Sequence, residues 1–542
     1  MRTRTGCCPE WWRAGTATTI ADVDAVVLLG LLVLGIVVLT PLAGRIGVPQ
    51  PVVLTVYGLL LALVPQVPSP RLPPEVILPL VLPPLLFATT QRGSLRELRQ
   101  DAGSVLFLAV GLTALSALVV AVVAHAFGLP WAVAVVLGAV VAPPDPVAAT
   151  AVARRLRLPP RLVTVLEGEG QFNDATALTL YSVALVAVTS GSVGAAEIGW
   201  HLFLEVVGGT AIGLVAGLLA RWALARLHDA PVETTVTIAL PFAAYLVADE
   251  VQASGVLAVL AAGLLLRARG AGATTSRGWL LGRAVWRYVD FAVTGLLFGF
   301  LGIELTTALE GTSQLGNAHA VALAVTVVAV LIALRFAVVH AASALAGRRA
   351  RRRGSATPAG WREATVASWA GMRGVVTVAL ALALPVTGAD GDFPYRAEVV
   401  LVALVTVLVT LIAQGLTLAP LVRHLHVAGP ASGDADVRRL RREATAAALR
   451  AVEGPGNGAP EPARATAAAR YRARLAHDES VVSLIDRGEE GPGLLDALDR
   501  LHVAALDAER ETVLEARRTG AVSPDAADEV LFEVEARASR YE

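Results

Sequence analysis

Lysine is absent from this chain: all 45 basic residues are arginine, a bias that codon usage explains and that names no ligand. Cysteine is nearly absent. Cys7 and Cys8 are adjacent and close to the N-terminus, so neither a disulfide framework nor a metal site can be built from them alone. Net charge is missing too, at +0 over 542 residues, so bulk charge points to no partner and nucleic acid is not expected as one. Residues 1–21 lack a basic stretch followed by an apolar core. No cleaved signal peptide is therefore expected, and the first apolar span serves as the insertion signal.

What the chain has is apolar sequence. It is 55% hydrophobic with a mean hydropathy of +0.63, too high for an ordinary soluble protein. Apolar runs recur near the length that crosses about 30 Å of hydrocarbon. Thirteen candidate spans fall at about 22–40, 50–65, 73–90, 102–124, 130–152, 164–189, 200–223, 233–248, 252–266, 285–305, 318–346, 363–385 and 396–422. Alternate loops separate by charge. One set holds Arg45, the Arg92–Arg99 and Arg154–Arg161 clusters, Arg221 and Arg226, the Arg267–Arg287 group and the Arg348–Arg362 group; the other holds Arg71 and Arg396. The positive-inside rule then places the N-terminus outside and the C-terminal tail in the cytoplasm.

Beyond about residue 427 the pattern changes to charged, acid-rich sequence. The stretch "GPGNGAPEPA" (Gly454–Ala463) reads as a linker. Helical spacing recurs over 464–487, 494–519 and 524–541. The expected division is an extracytoplasmic segment at 1–21, a membrane domain at 22–425 and a cytoplasmic helical tail at 426–542. Whether that tail regulates, stabilises or is simply solvated stays open at this point.

Ionisable groups inside a span cost roughly 2.5–3.5 kcal/mol on insertion scales, so each is a functional candidate. Asp145 lies in "VVAPPDPVAATAV" among Pro143, Pro144 and Pro146, which break the helical ladder. A broken helix at membrane depth is tolerated only where it lines a cavity or is buried in protein. Arg373 lies in "SWAGMRGVVTVALALALP" between Gly371 and Gly374, stays charged at any working pH and needs a carboxylate partner. Glu169, Asn173 and Asp174 stand in "LEGEGQFNDATALTLYSV". Glu169 and Asn173 share a helix face, with Asp174 about 100° round from Asn173. On this segment alone, Asn173 or Asp174 reads equally well as a helix cap after a "GEGQF" loop. With Arg373 in view, Glu169 is its available partner and Asp174 is left to titrate. The fifth and twelfth spans run in opposite directions, and two interrupted helices in opposed orientation mark an inverted-repeat transporter with a midplane ion site.

These stretches carry a resemblance. "LPPLLFATTQRGSLRELRQ", "APPDPVAATAVARRLRLPPRLVTVLEGEGQFNDATAL", "FAVTGLLFGFLGIEL" and "GMRGVVTVALALALP" occur in the order seen in bacterial sodium/proton exchangers of the monovalent cation:proton antiporter-1 family. The resemblance covers most of 25–425. It implies an all-α, thirteen-span inverted repeat with two crossed, interrupted helices, a homodimer in the cell membrane, and exchange of Na+ (or Li+ or K+) for H+. No resident cofactor is implied. By the same resemblance Asp174 is the carboxylate that binds cation or proton, Asn173 its neutral neighbour, Asp145 the acid of the unwound helix, and Glu169 with Arg373 a structural ion pair. An Asn-Asp pair goes with electroneutral exchange in that family. The chain departs from the pattern at Gly170 and Gln171 after Glu169, at Pro144 before Asp145, and at Ala88 after "LPPLLF". Two hydroxyls and a carboxylate are thereby missing, and Gln171 or backbone carbonyls are the oxygens available to replace them.

Rival classes are weaker. An intramembrane aspartyl protease needs Asp145 and Asp174 to share a proton, but its Gly-x-Gly-Asp motif is absent and Asn173 and Arg373 go unexplained. A channel needs selectivity rings built from several subunits, whereas one buried carboxylate per chain suits a carrier. A K+/H+ antiporter of the same family is the nearer alternative.

Overall fold

The structure is a computed structural model that describes residues 11–46, 48–64, 74–91, 101–145, 156, 158–190, 199–200, 202–269, 273–311, 314–352, 360–388, 391–427, 432–454, 460–486, 506–516, 530, 533–534 and 536–537. It divides into two compact units, Met1–Gly429 and Pro430–Glu542.

The first unit is a bundle of helices: α1 (Trp11–Ile46), α2 (Gln50–Ala62), α3 (Pro74–Thr90), α4 (Ala102–Ala126), α5 (Trp131–Val141), α6 (Pro160–Ser190), α7 (Leu204–Leu224) and α8 (Ala230–Glu250). It continues with α9 (Gly255–Arg269), α10 (Ser276–Gly311), α11 (Asn317–Arg352), α12 (Trp361–Trp369), α13 (Val375–Leu382) and α14 (Arg396–Leu425). Its described strands are a two-residue antiparallel pair, β1 (Thr387–Gly388) with β2 (Gly391–Asp392). Helices dominate because hydrocarbon offers no water to the backbone, so each segment must satisfy its own amides and carbonyls. Among the described residues, seven helices are long and apolar enough to cross a membrane: parts of α1, α10 and α11, and all of α4, α7, α8 and α14. The shorter apolar helices α2, α3 and α5 lie among them.

Burial separates inner from outer helices. Of the most apolar window of α14, 67% is buried within the protein, against 22% for α7. Helix α7 turns Val215, Leu218, Leu219 and Trp222 outward, a face that is ordinary in lipid and a liability in water. Close helix approach rests on small residues. A Cβ at Gly213 would stand 2.1 Å from the Ala258 carbonyl oxygen of α9, and one at Gly302 of α10 would stand 2.1 Å from that of Thr55 in α2. Lipid is itself apolar and supplies no hydrophobic force to drive helices together, so such close backbone contact is a main source of packing energy in a membrane.

The second unit contains α15 (Ser432–Glu453) and α16 (Glu461–Asp486), joined by a 2.5 Å ion pair from Arg472 to Glu453. Residues 506–516 form a further helical stretch. Most of the helix expected at 524–541 and the start of that at 494–519 lie outside the described residues, as do Cys7, Cys8, Pro146, the rest of the fifth span to 152, and the arginines at 92, 96, 99, 154, 155 and 157. Helix α1 begins at Trp11, inside the segment expected to precede the first span.

Candidate ion-binding site

The site forms where two helices stop inside the protein. Helix α5 ends at Val141 and the chain runs on without regular structure through Asp145. Pro143 and Pro144 cannot donate to the preceding turn, so the ladder ends here. Helices α12 and α13 are separated by the unwound stretch Ala370–Gly374. These two breaks are bonded to each other. The Asp145 amide donates to the Met372 carbonyl at 2.6 Å, and the Val375 amide donates to Asp145 Oδ2 at 3.3 Å. Asp145 therefore sits at the N-terminus of α13, the end of a helix that favours negative charge.

Arg373 does not pair with Glu169, contrary to the expectation from sequence. Its guanidinium, 2% exposed, donates to the carbonyls of Val141 (3.0 Å), Ala142 (3.2 Å) and Gly371 (2.6 Å). These include carbonyls left without amide partners where α5 ends, and a cation there satisfies both the hydrogen bonds and the negative end of the helix. The Arg373 amide donates to Thr410 Oγ1 of α14 at 3.0 Å, which ties the break to the most buried of the seven long apolar helices. Glu169 instead takes Arg335 of α11. The two meet as a fork, Nη1–Oε1 at 2.5 Å and Nη2–Oε2 at 2.9 Å, with the Arg335 side chain also donating to the Ala367 carbonyl of α12. Sequence reasoning missed Arg335, although the signal was present: a lone arginine midway along the apolar run 318–346.

The two glycines beside Arg373 now have specific reasons. A Cβ at Gly374 would lie 1.7 Å from Asp145 Oδ2, and a Cβ at Gly371 would lie 2.3 Å from Arg335 Cδ. Any side chain at either position would collide with a charged group.

Helix α6 runs unbroken from Pro160, so Glu169, Asn173 and Asp174 are interior to it. The cap reading is set aside: an interior residue has no free amides below it to cap. Asn173, fully buried, donates from Nδ2 to the Pro144 carbonyl at 2.7 Å and so braces the break after α5. Asp174 is 8% exposed. It makes no hydrogen bond or ion pair with the described residues, while Arg335 and Arg373 are both engaged elsewhere. Asp174 opens instead into a cavity of about 880 Å³, whose lining includes Asp145, Gln171, Thr89, Gly170 and Thr377. Gln171 is anchored there by donation from Nε2 to the Thr89 carbonyl at 3.1 Å. Of the candidate ligands and ion-pair residues named from sequence, the cavity brings together Asp145, Asp174 and Gln171, along with Ala88, Pro144 and Gly170; Asn173, Glu169 and Arg373 are not in its lining.

The arrangement is a cavity within the bundle lined by carboxylates (Asp145, Asp174, Glu167 and Asp290), arginines (Arg267, Arg283 and Arg287) and several neutral oxygens, with no arginine among the described residues bonded to Asp174. It suits a hard monovalent cation or a proton. Among the described residues no cluster of three or more His, Cys, Asp or Glu side chains forms a site for a resident metal ion.

Comparison with known proteins fits this geometry. The family model for the transmembrane sodium/hydrogen exchanger matches residues 31–424. An uncharacterized Na+/H+ exchanger of Mycobacterium tuberculosis is 36% identical over 437 residues, covering 79% of this chain and 80% of the relative. A sodium, potassium, lithium and rubidium/H+ antiporter of Bacillus pumilus is 29% identical over 384 residues, covering 68% of this chain and 57% of the relative. The solved sodium proton antiporter of Methanocaldococcus jannaschii shares the fold, with a TM-score of 0.59 at 18% identity over 74% of this chain and 99% of that one. These relatives are transporters rather than enzymes. With its broken helices bonded to each other through Asp145, the chain belongs to the sodium/hydrogen exchanger family, as an antiporter of the multi-pass membrane type.

Proposed function

We propose that the protein exchanges one Na+ for one H+ across the cell membrane, with Asp174 binding the two in alternation. The observation that carries this reading is the situation of Asp174: a carboxylate almost withdrawn from solvent, on a cavity, with no cationic partner among the described residues. Such a group is stable when it holds a proton or a cation and costly when it holds neither. Each ligand therefore displaces the other. Asp145 neutralises the positive end of α13, Arg373 the carbonyl end of α5, and Asn173 stays neutral. One charge leaves as one arrives, which makes the exchange electroneutral.

Gln171 Oε1 is the proposed additional ligand, held by the anchoring of its nitrogen on Thr89. The wider reading is a thirteen-span inverted repeat that works as a homodimer, with the N-terminus outside and the tail in the cytoplasm. It is supported by a helix in each of the thirteen intervals marked in the sequence and by the segregation of loop arginines. A homodimer of such units alternates access by moving the site-bearing helices as a body.

Everted membrane vesicles test the proposal. A preset pH gradient should collapse on adding Na+, and Asp174→Asn should abolish that response. Exchange at the wild-type rate in Asp174→Asn would refute the assignment. Adding Li+ and K+ in the same assay sets the ion range, which is broad in the name of the Bacillus relative.

A further inference from the structure

The hydroxyl of Thr377 is one feature of the cavity that the exchange mechanism above does not use. Thr377 is the one polar residue in α13, "VVTVALAL". It is 1% exposed, and its Oγ1 has no hydrogen-bond partner among the described residues. A buried hydroxyl left unpaired costs free energy, so each such group calls for an explanation.

Its neighbours show what is unusual. The other buried threonines and serines of the bundle mostly donate to the carbonyl three or four residues back along their own helix. Thr55 reaches Pro51 at 2.9 Å, Thr90 reaches Phe87 at 2.7 Å, Ser368 reaches Ala364 at 2.7 Å and Thr410 reaches Thr406 at 2.8 Å. For Thr377 the equivalent residues are Arg373 and Gly374, which belong to the unwound stretch. Arg373 lies before the helix begins, and the Gly374 carbonyl at the N-cap accepts the Val378 amide at 3.2 Å. The break that frees the Arg373 region for its crossing contacts thus also frees this hydroxyl. Two other threonines with buried hydroxyls, Thr40 and Thr113, also lack a partner among the described residues, but neither lines the cavity, whereas Thr377 does, together with Asp145, Asp174 and Gln171. Asp145 is bonded to the first amide of the same helical turn, at Val375.

We infer that Thr377 Oγ1 is a ligand of the transported cation, supplying a hydroxyl oxygen from the α13 side of the cavity. A hydroxyl offers two lone pairs to a hard cation. The chain has no side-chain oxygen at Gly170, Pro144 or Ala88, and Thr377 presents on the same cavity a hydroxyl without a hydrogen-bond partner among the described residues. The inference rests on the exchange reading given above and names a residue of that same site. It also couples two helices through the ion. Helix α13 presents Thr377 and α6 presents Asp174, so a bound cation bridges them.

The test uses the full chain in everted vesicles, with Na+ as the probe. Thr377→Val keeps the shape and removes the oxygen. It should raise the half-saturating Na+ concentration about tenfold, the size of one lost polar contact, with the maximal rate nearly unchanged. Thr377→Ser restores the oxygen and should return the value to within about twofold of wild type. Thr113→Val, a buried unpaired threonine away from the cavity, should leave Na+ dependence unmoved. If Thr377→Val does not purify as a folded protein, Thr377→Ala takes its place with the same expected shift. The inference falls if the oxygen-free variant saturates at the wild-type Na+ concentration, if Thr377→Ser is impaired equally, or if Thr113→Val gives the same shift. Failure of the exchange reading is separate: there the wild-type vesicles themselves show no cation-dependent response.

Discussion

Glu169 and Arg335 meet as a two-pronged ion pair, at 2.5 and 2.9 Å, between helices α6 and α11, with both side chains almost wholly withdrawn from solvent. The same guanidinium reaches the Ala367 carbonyl near the end of α12. One side chain therefore joins three helices around the unwound stretch, and it does so behind the cavity rather than in it.

A buried pair of this kind is most costly when half of it is removed. Arg335→Ala leaves Glu169 charged and alone, a loss of roughly 3–5 kcal/mol in comparable cases. The expected outcome is a clear fall in the thermal unfolding temperature of the purified protein and little exchange. The double variant Glu169→Gln with Arg335→Met removes both charges and should recover much of the stability. Thermal unfolding of the three proteins in one detergent checks this. An Arg335→Ala protein as stable as wild type would contradict the pairing.

Arg373 answers to a different partner, and its variants should reflect that. Its three carbonyl contacts need a planar fork aimed in several directions, which the single ammonium of lysine cannot reproduce. Arg373→Lys should therefore lose most exchange despite keeping the charge. Neutralising Glu169 should not rescue Arg373→Ala, since no carboxylate is left unpaired by that change. Initial rates in vesicles, normalised to the amount of protein in the membrane, decide the matter. Rescue by Glu169→Gln would restore the pairing expected from sequence.

How much of this was legible beforehand follows a physical line. Both breaks could be read directly, because proline clusters and flanking glycines act locally on the backbone. The buried charges could be read one at a time, since each interrupts an apolar run. Their pairing could not, because Glu169 and Arg335 lie 166 residues apart and meet only in three dimensions. Arg335 itself sits in an uninterrupted helix, with no proline or glycine beside it to draw notice. The stretch "LEGEGQF" misled in the opposite direction. Its glycines suggest a loop by propensity, but inside the bundle the backbone must satisfy its own hydrogen bonds and remains helical. Thr377 gave no sign at all: a threonine in an apolar run is ordinary until the helix before it is known to stop.

Gly374 supplies the most demanding prediction about the crossing itself. Its backbone does not lie in the left-handed region, with φ at −149°, so conformational freedom is not the reason for glycine here. Space is. A methyl group would fall 1.7 Å from Asp145 Oδ2 and 2.4 Å from Asp145 Cβ, and those atoms cannot retreat without breaking the 2.6 Å bond from the Asp145 amide to Met372. Gly374→Ala should therefore abolish exchange even if the protein still inserts and purifies. Combining it with Asp145→Gly removes the colliding side chain, and should recover thermal stability without recovering exchange, since the acid at the N-terminus of α13 is then gone. Unfolding temperature and vesicle exchange measured on the single and double variants separate these effects. A Gly374→Ala protein that exchanges at the wild-type rate would mean that Asp145 does not hold this position during transport.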